Sequence, residues 1–156
     1  MPDATTVRLF AKYLVGNGTM PKLFAHFHAR LAQAGLILND GKVIDASIVD
    51  APVHRNSSDE NQRIKEYDIP EDWSDAKGRK KDVDATWTKK NGKSFFGYMN
   101  HVKVDAGSKL MDHYVVTAAS VHDGTVVWDL PTEQDKGQKL DADKAYDNAH
   151  TKKGVR

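Results

Sequence analysis

Apolar residues recur every three or four positions over the first part of the chain, which is the spacing of a helix with one buried face. The first such segment runs from Ala4 to Val15, and Asp3 is placed to cap its N-terminus. After a break of glycine and asparagine, Thr19 is placed to cap a second segment that continues up to Gly35. The pattern predicts a helical hairpin over residues 1–38.

A β-branched run follows the turn signal Asn39-Asp40-Gly41 and predicts a first core strand over residues 42–50. Alternation along this strand places Asp45 on one face, while the other face is wholly apolar. Burying an unpaired carboxylate costs several kcal/mol unless a metal or a cation compensates its charge, so Asp45 is a candidate site residue. The alternative is an aspartate on the solvent-facing side of the strand.

Residues 52–93 show no sustained period and are dominated by polar side chains, which predicts a long, charged and partly mobile insertion after the first strand. The charges are segregated, since residues 54–75 sum to −4 and residues 77–93 sum to +5. The basic residues of the second stretch are Lys77, Arg79, Lys80, Lys81, Lys89, Lys90 and Lys93. A basic loop that contains Trp87 suits a phosphate backbone, and a solvated lysine-rich loop is the alternative.

Regular patterning returns over residues 94–147, which form the remaining core. The runs Ser94–Val104 and Leu110–Ala119 flank turn residues and predict an antiparallel hairpin. A short helix follows, with Asp123 as its cap and a proline as its stop, and Lys139–Tyr146 predicts a short strand that runs into a turn. The order of elements indicates a single mixed α/β domain, compatible with a ribonuclease-H-like sheet and with other mixed folds.

Composition narrows the class of protein. A chain of 156 residues with 39% hydrophobic and 29% charged residues fits one soluble domain. It has no cysteine, so any metal must be held by oxygen or imidazole ligands, and carboxylates favour magnesium or manganese. No apolar run approaches the roughly 20 residues of a membrane span, and no signal sequence opens the chain, so we expect a cytoplasmic protein.

A second acidic candidate lies near the end of the chain. Asp143 sits at the end of the last predicted strand, and alternation would place Asp141 on the same face as a rival. Two carboxylates at two strand ends can hold a pair of Mg²⁺ ions for phosphoryl chemistry. The spacing of Asp45 and Asp143 along the chain does not by itself bring them together.

Six blocks of residues carry a family resemblance that periodicity cannot supply. They are Pro2-Asp3-Ala4-Thr5-Thr6, Val43-Ile44-Asp45-Ala46-Ser47, Lys81-Asp82-Val83-Asp84-Ala85 with Trp87-Thr88-Lys89-Lys90, Gly97-Tyr98 with Asn100-His101, Val121-His122-Asp123, and Ala142-Asp143-Lys144-Ala145-Tyr146. Together they resemble the DDE transposases of insertion-sequence family five. The blocks follow the family's order from Pro2 to Asp147, although each alone would be weak.

The resemblance implies a ribonuclease-H-like fold and DNA transposition by metal-dependent cleavage and strand transfer at insertion-sequence ends. It matches Asp45 to the first catalytic aspartate and Asp143 to the second, with two Mg²⁺ or Mn²⁺ ions as cofactors. DNA is the implied partner, with this chain or a full-length transposase as an oligomer on it. His101 and His122 lie in family blocks and are candidates for a supporting role behind the carboxylates. We expect Trp87 and Tyr98 to be packing residues.

The chain departs from the family pattern at two residues and at its end. Met99 and Thr86 stand where the family usually has basic residues, which removes possible phosphate contacts. The family's third acid, a glutamate, would lie beyond Arg156, so we expect a C-terminally truncated catalytic domain that is inactive alone. A non-catalytic DNA-binding or regulatory truncated transposase is the alternative, and a nuclease that uses two carboxylates is a third possibility.

Overall fold

The computed structural model describes residues 1–51, 54–67, 72–78 and 80–143. The predicted turn through Tyr146 and the predicted contact residue Arg79 lie outside these residues. In chain order the elements are α1 (Ala4–Gly16), α2 (Thr19–Gln33), β1 (Lys42–Asp50), α3 (Ser58–Tyr67), α4 (Asp75–Gly78), β2 (Thr86–Lys90), β3 (Lys93–Asp105), β4 (Met111–Ala118), α5 (Asp123–Val126) and β5 (Leu140–Ala142), with a 3-10 turn at Glu133–Asp135 between the last two.

Five strands form one mixed sheet around β3, the longest of them. β1 and β4 pair with β3 in antiparallel register, and β2 pairs with its N-terminal part through Gly97. On the far side of β1, β5 runs parallel to it, so the order across the sheet is β4-β3-β1-β5. A parallel neighbour needs a crossover, which the segment containing α5 supplies. The mixed α/β class is confirmed, and the sheet is consistent with a ribonuclease-H-like arrangement.

The two faces of the sheet differ in burial, as the alternation in β1 predicts. One face, which we call the core face, holds Ile44 against Val127 and Leu130 of the segment around α5. Residues opposite one another on paired strands share a face, so this face also carries His101 and Lys103 of β3. The other face, which we call the open face, carries Val43, Asp45, Ser47 and Val49 of β1.

The β3–β4 hairpin forms as predicted and is held at its turn by Asp105. The carboxylate of Asp105 accepts hydrogen bonds from the backbone N–H and the hydroxyl of Ser108 and from the N–H groups of Asn39 and Leu38. Burial alone would raise the pKa of Asp105, but these donors more than offset it and hold the pKa well below its ordinary value. One buried carboxylate therefore joins this turn to the segment that enters β1.

The long, charged and partly mobile insertion predicted over residues 52–93 is not confirmed, because much of this range has regular structure. Helices α3 and α4 lie within it, and β2 belongs to the sheet, so the core begins before residue 94. Two local signals mark these elements. Ser57 and Glu60 form a reciprocal capping box at the start of α3. Asn91 and Gly92, both with positive φ, make the two-residue turn typical of a tight β-hairpin.

The N-terminal helices form as predicted, with a correction at the second cap. Asp3 Oδ1 accepts the Thr6 N–H at 2.7 Å and caps α1. Thr19 is not a cap, because Gly18 takes the N-cap position with a φ of 60° and Thr19 begins the helix. Helix α2 lies against the β4 edge, where the Phe24 ring meets the Tyr114 ring edge-on at 5.1 Å. No helix of the described residues is long and apolar enough to cross a membrane.

The helix after β4 is shorter than predicted and is capped by a different residue. It covers only Asp123–Val126, and its N-cap is His122, whose Nδ1 accepts the Gly124 N–H at 3.1 Å. The prediction that Asp123 is the cap was therefore wrong by one residue. The chain ahead of β5 then makes the 3-10 turn, which Thr132 caps.

Candidate carboxylate site on the open face

Asp45 lies in the middle of β1, exposed on the open face. Its Oδ1 accepts the backbone N–H of Ala46 at 2.8 Å, which orients the carboxylate along the strand. Within the described ranges it forms no ion pair with a lysine or an arginine. The burial cost that singled this residue out is therefore not incurred, and its charge remains available to a ligand that arrives from solvent.

Asp143 follows the last residue of β5, next to β1. The parallel register pairs Val43 with Asp141 and Ile44 with Ala142. Asp45 follows Ile44 within β1, and Asp143 follows Ala142 just past the end of β5. Asp143 is exposed. The two aspartates matched by the family resemblance thus each lie one residue past the same backbone pair, Ile44–Ala142.

The rival acid, Asp141, is engaged by a neighbouring lysine. Its Oδ2 lies 2.8 Å from Lys139 Nζ, in an exposed pair two residues apart in sequence. An exposed pair of this kind contributes little to stability, but it supplies a positive charge beside the carboxylate. Among the described residues Asp45 forms no such pair, so Asp45 and Asp141 differ in electrostatic surroundings although they lie on adjacent strands.

The carboxylates of Asp45 and Asp143 are the candidate donors for a metal ion on the open face. Hard divalent cations prefer carboxylate oxygens, and Asp45 and Asp143 supply exposed oxygens that a hydrated ion can reach. Among residues 1–51, 54–67, 72–78 and 80–143, no group of three or more histidines and acids is arranged to hold an ion. The two aspartates fit as a partial set of ligands, with solvent or substrate oxygens to complete the coordination.

His101 lies on the other side of the sheet from Asp45. It pairs with Ala46 in the register of β1 and β3, and its side chain is fully buried on the core face. Its Nε2 is 3.1 Å from the Thr117 hydroxyl, and its Nδ1 is 3.9 Å from Asp123. Burial lowers the pKa of His101, while Asp123 opposes that shift. His122, the second histidine of interest, caps α5.

The predicted basic stretch is partly neutralised by an acid from the preceding stretch. Glu60 of α3 lies 2.9 Å from Lys77 Nζ and 2.8 Å from Lys81 Nζ. Hydrogen bonds from these lysines, together with the Ser57 N–H, lower the pKa of Glu60 to about 2. Lys77 and Lys81 are therefore less available to an external phosphate than the sequence suggests.

The other described lysines of the stretch are exposed. Lys89 and Lys90 end β2 and Lys93 begins β3, so three cations surround the tight turn of the β2–β3 hairpin. Lys80 is exposed after α4. None of these four forms an ion pair within the described part of the chain. Within the described residues, these four lysines are the members of the predicted DNA surface whose charge is not neutralised by an ion pair.

Trp87 and Tyr98 pack as predicted. The Trp87 ring lies 5.3 Å from the Phe96 ring, and its Nε1 donates to the Asn56 carbonyl at 3.2 Å. The Tyr98 hydroxyl donates to Asp82 Oδ1 at 2.7 Å. Burial and this carboxylate raise the pKa of Tyr98. Trp87 thereby joins β2 to the segment before α3, and Tyr98 joins β3 to the segment before β2.

A buried charge cluster on the core face was missed by the sequence interpretation. Lys103 is fully buried, and its Nζ lies 2.9 Å from Asp112 and 2.5 Å from Asp135. Lys42 lies 3.4 Å from the same Asp112 and 3.5 Å from Asp105. We call Lys42, Lys103, Asp105, Asp112 and Asp135 the core charge cluster. The sequence signal for it was the run of polar residues at alternate positions of β3.

Comparison with known families identifies the class of protein. The model of the family described as the transposase DDE domain matches residues 40–156, about three quarters of the chain. The chain therefore belongs to the transposase DDE domain family. Membership supports a function in DNA transposition with DNA as partner, and the family generally uses divalent metal ions. No solved structure matches the chain.

Proposed function

We propose that this chain is the catalytic-domain portion of a transposase of insertion-sequence family five, and that Asp45 and Asp143 are its metal-binding aspartates. The six ordered sequence blocks support the narrower family assignment. The observation that carries the site is the parallel register of β1 and β5, in which each aspartate is the next residue after the Ile44–Ala142 pair.

The open face suits this role because it carries the exposed carboxylates of Asp45 and Asp143. Asp45 is oriented by the Ala46 N–H and has no cationic partner among the described residues. When bound, divalent ions would neutralise charge on the reacting phosphate and lower the pKa of an attacking water or 3′-hydroxyl. The chain's own contribution is to hold two carboxylates at fixed positions on neighbouring strands.

Charge balance predicts that the two aspartates are insufficient for catalysis by themselves. Two divalent ions bring four positive charges, of which two carboxylates compensate half. We therefore propose that a third acid, as in the family, completes the site, and that this chain alone does not cleave or join DNA. Each 1.36 kcal/mol of lost transition-state stabilisation is about tenfold in rate.

Metal binding tests the site without requiring activity. Isothermal titration of Mn²⁺ into the chain should give binding that weakens at least about tenfold in Asp45→Asn and in Asp143→Asn. Asp141→Asn is the matched control, since it removes an exposed carboxylate from the same strand that Lys139 already neutralises. Equal loss of Mn²⁺ binding in all three variants, or loss in none, would argue against an Asp45–Asp143 site.

Activity is tested separately on labelled DNA that carries insertion-sequence ends. With Mn²⁺ present, we expect the chain to bind the DNA and to leave it uncut. Cleavage by the chain that disappears in Asp45→Asn would contradict the requirement for a third acid and would point to a nuclease that uses two carboxylates. DNA binding that does not respond to divalent metal would favour a regulatory DNA-binding role instead.

A further inference from the structure

The helical hairpin lies ahead of the region that matches the DDE domain, which begins at residue 40. The charged residues of its two helices are all basic. Residues 4–38 contain Arg8, Lys12, Lys22 and Arg30 and no aspartate or glutamate. The whole chain has a net charge of +1, so the rest of it is net negative. The helical hairpin is thus a second region of net positive charge in the chain, besides residues 77–93.

These cations lie along the helices in stripes. The two cations of α2, Lys22 and Arg30, flank His26 at intervals of four residues, and side chains at that spacing occupy one face of a helix. Arg8 and Lys12 have the same relation in α1. All five side chains are exposed. Each helix therefore presents a basic stripe to solvent.

The stripe on α2 points away from the protein. The face of α2 that meets the sheet carries Phe24, which packs on Tyr114, and His28, which lies 2.6 Å from Asp112. Positions 22, 26 and 30 fall on the opposite side of a helix with 3.6 residues per turn. Attachment of α2 to β4 thus directs the basic stripe outward.

The cations of the hairpin are also unpaired. Among the residues that the structure describes, none of Arg8, Lys12, Lys22 and Arg30 forms an ion pair. Lys77 and Lys81 of the basic stretch, in contrast, share Glu60. Unpaired cations release counterions from a phosphate backbone without first breaking an internal contact.

The hairpin also lies near the proposed site. Tyr114, which contacts Phe24, is on the open face, because it pairs with Val102 and Val102 pairs with Asp45. Two strand spacings, about 10 Å of backbone, separate the Asp45 and Tyr114 positions. The hairpin is thus attached at the β4 edge of the sheet, two strands away from Asp45.

We propose that the α1–α2 hairpin is a docking surface for the sugar–phosphate backbone of duplex DNA, bound through Arg8, Lys12, Lys22 and Arg30. The proposal rests on the proposed function in that DNA is the expected partner, and it adds a specific surface. Contacts of this kind are independent of sequence and weaken steeply with salt. The exposed apolar residues beside the stripes, such as Phe10 and Tyr13, leave a second copy of the chain as the competing partner.

Salt-dependent binding of a labelled random-sequence duplex, measured by fluorescence anisotropy, tests the proposal. The hairpin variant changes Arg8, Lys12, Lys22 and Arg30 to glutamine, a good helix former. The comparison variant changes four exposed cations elsewhere to glutamine: Arg63, Lys65, Lys109 and Lys136, of which Arg63 and Lys136 form exposed ion pairs. Both variants lose four charges, so a general effect of net charge is common to them. A third variant, Arg8→Lys with Arg30→Lys, keeps the charge.

The slope of log affinity against log salt should fall by up to about 3.6 in the hairpin variant, at about 0.9 for each phosphate contact. It should fall by less than about 1 in the comparison variant and stay unchanged in the charge-keeping variant. If circular dichroism shows that the quadruple variant misfolds, Lys12→Gln and Lys22→Gln singly should each lower the slope by about 0.9.

A hairpin variant with the same slope as the comparison variant overturns the proposal while leaving the proposed function intact. A wild-type chain with no salt-dependent DNA binding overturns both. If the slope is unchanged and sedimentation shows a dimer that Phe10→Ser with Tyr13→Ser dissociates, the hairpin surface belongs to a second copy, and the DNA proposal is wrong.

Discussion

On the core face of the sheet, Lys103 is enclosed by Asp112 and Asp135, whereas on the open face Asp45 has no cationic partner among the described residues. Asp45 and Lys103 lie on the adjacent strands β1 and β3. Charges on the core face are paired because an unpaired ion there would lose its hydration without compensation. The charge of Asp45 keeps its hydration and stays available for a ligand. The buried charges of the core face are thus structural, whereas Asp45 on the open face is exposed and forms no ion pair with a described lysine or arginine.

The largest effect should come from breaking the core charge cluster. Lys103→Met removes a buried cation that contacts both Asp112 and Asp135, and it leaves two carboxylates near the core without that partner. We expect a loss of about 3–5 kcal/mol in the free energy of unfolding, measured by urea denaturation. Lys139→Met breaks an exposed pair and should cost less than about 1 kcal/mol. Similar losses in both variants would show that burial does not distinguish the two pairs.

The same distinction should separate lysines within the basic stretch. Lys89→Gln with Lys90→Gln removes two exposed, unpaired cations and should lower the salt slope of DNA binding by up to about 1.8. Lys77→Gln with Lys81→Gln removes two cations that Glu60 already holds, so its effect on the slope should be smaller. Fluorescence anisotropy over a range of salt concentrations compares the pairs. Equal effects would mean that Glu60 does not compete with DNA.

The sequence predicts local features of this fold well. The helical hairpin, the alternation in β1 and the β3–β4 hairpin depend on residues close together in the chain, so periodicity reveals them. The same alternation did not decide whether the face that carries Asp45 is buried or faces solvent, and in the structure Asp45 is exposed to solvent. Asp3 as a cap also follows from its immediate neighbours.

Features that depend on distant residues were missed. β2 ends in two lysines that match a solvated loop as well as a strand, and only its pairing with β3 decides between them. The contact of Glu60 with Lys77 and Lys81 joins residues about twenty positions apart, so the charge sums of the two stretches could not reveal it. The adjacency of β1 and β5 likewise depends on a long crossover, which periodicity cannot reveal. The prediction that Asp45 and Asp143 belong to one site therefore came from the family resemblance.

A pH dependence should follow from the Glu60 pairs. The ordinary pKa of 4.5 falls to about 2 in the folded chain, so the folded state binds a proton at Glu60 less readily than the unfolded state does. The stabilisation is therefore fully present above pH 4.5 and is lost as the pH falls towards 2. The difference in unfolding free energy between wild type and Glu60→Gln should be roughly 1 kcal/mol at pH 6 and should vanish near pH 2. A difference that grows on acidification would contradict this assignment.

The smallest effect on stability is expected on the open face itself. Asp45→Asn keeps the shape of the side chain and removes a charge that no described cation compensates. The free energy of unfolding should change by less than about 0.5 kcal/mol in the absence of metal. With Mn²⁺ added, wild type should be stabilised relative to Asp45→Asn, because a ligand of the folded state stabilises it by mass action. A loss of several kcal/mol without metal would give Asp45 a structural role.

The most direct test of the account is a crystal structure of the chain soaked with Mn²⁺ and recorded at a wavelength where manganese scatters anomalously. We predict an anomalous peak on the open face within about 2.5 Å of carboxylate oxygens of both Asp45 and Asp143. The same crystal of Asp45→Asn should lose that peak and keep the fold. Aspartates on opposite faces of the sheet, or a peak held by Asp141 instead, would contradict the assignment of Asp45 and Asp143 as the metal-binding pair.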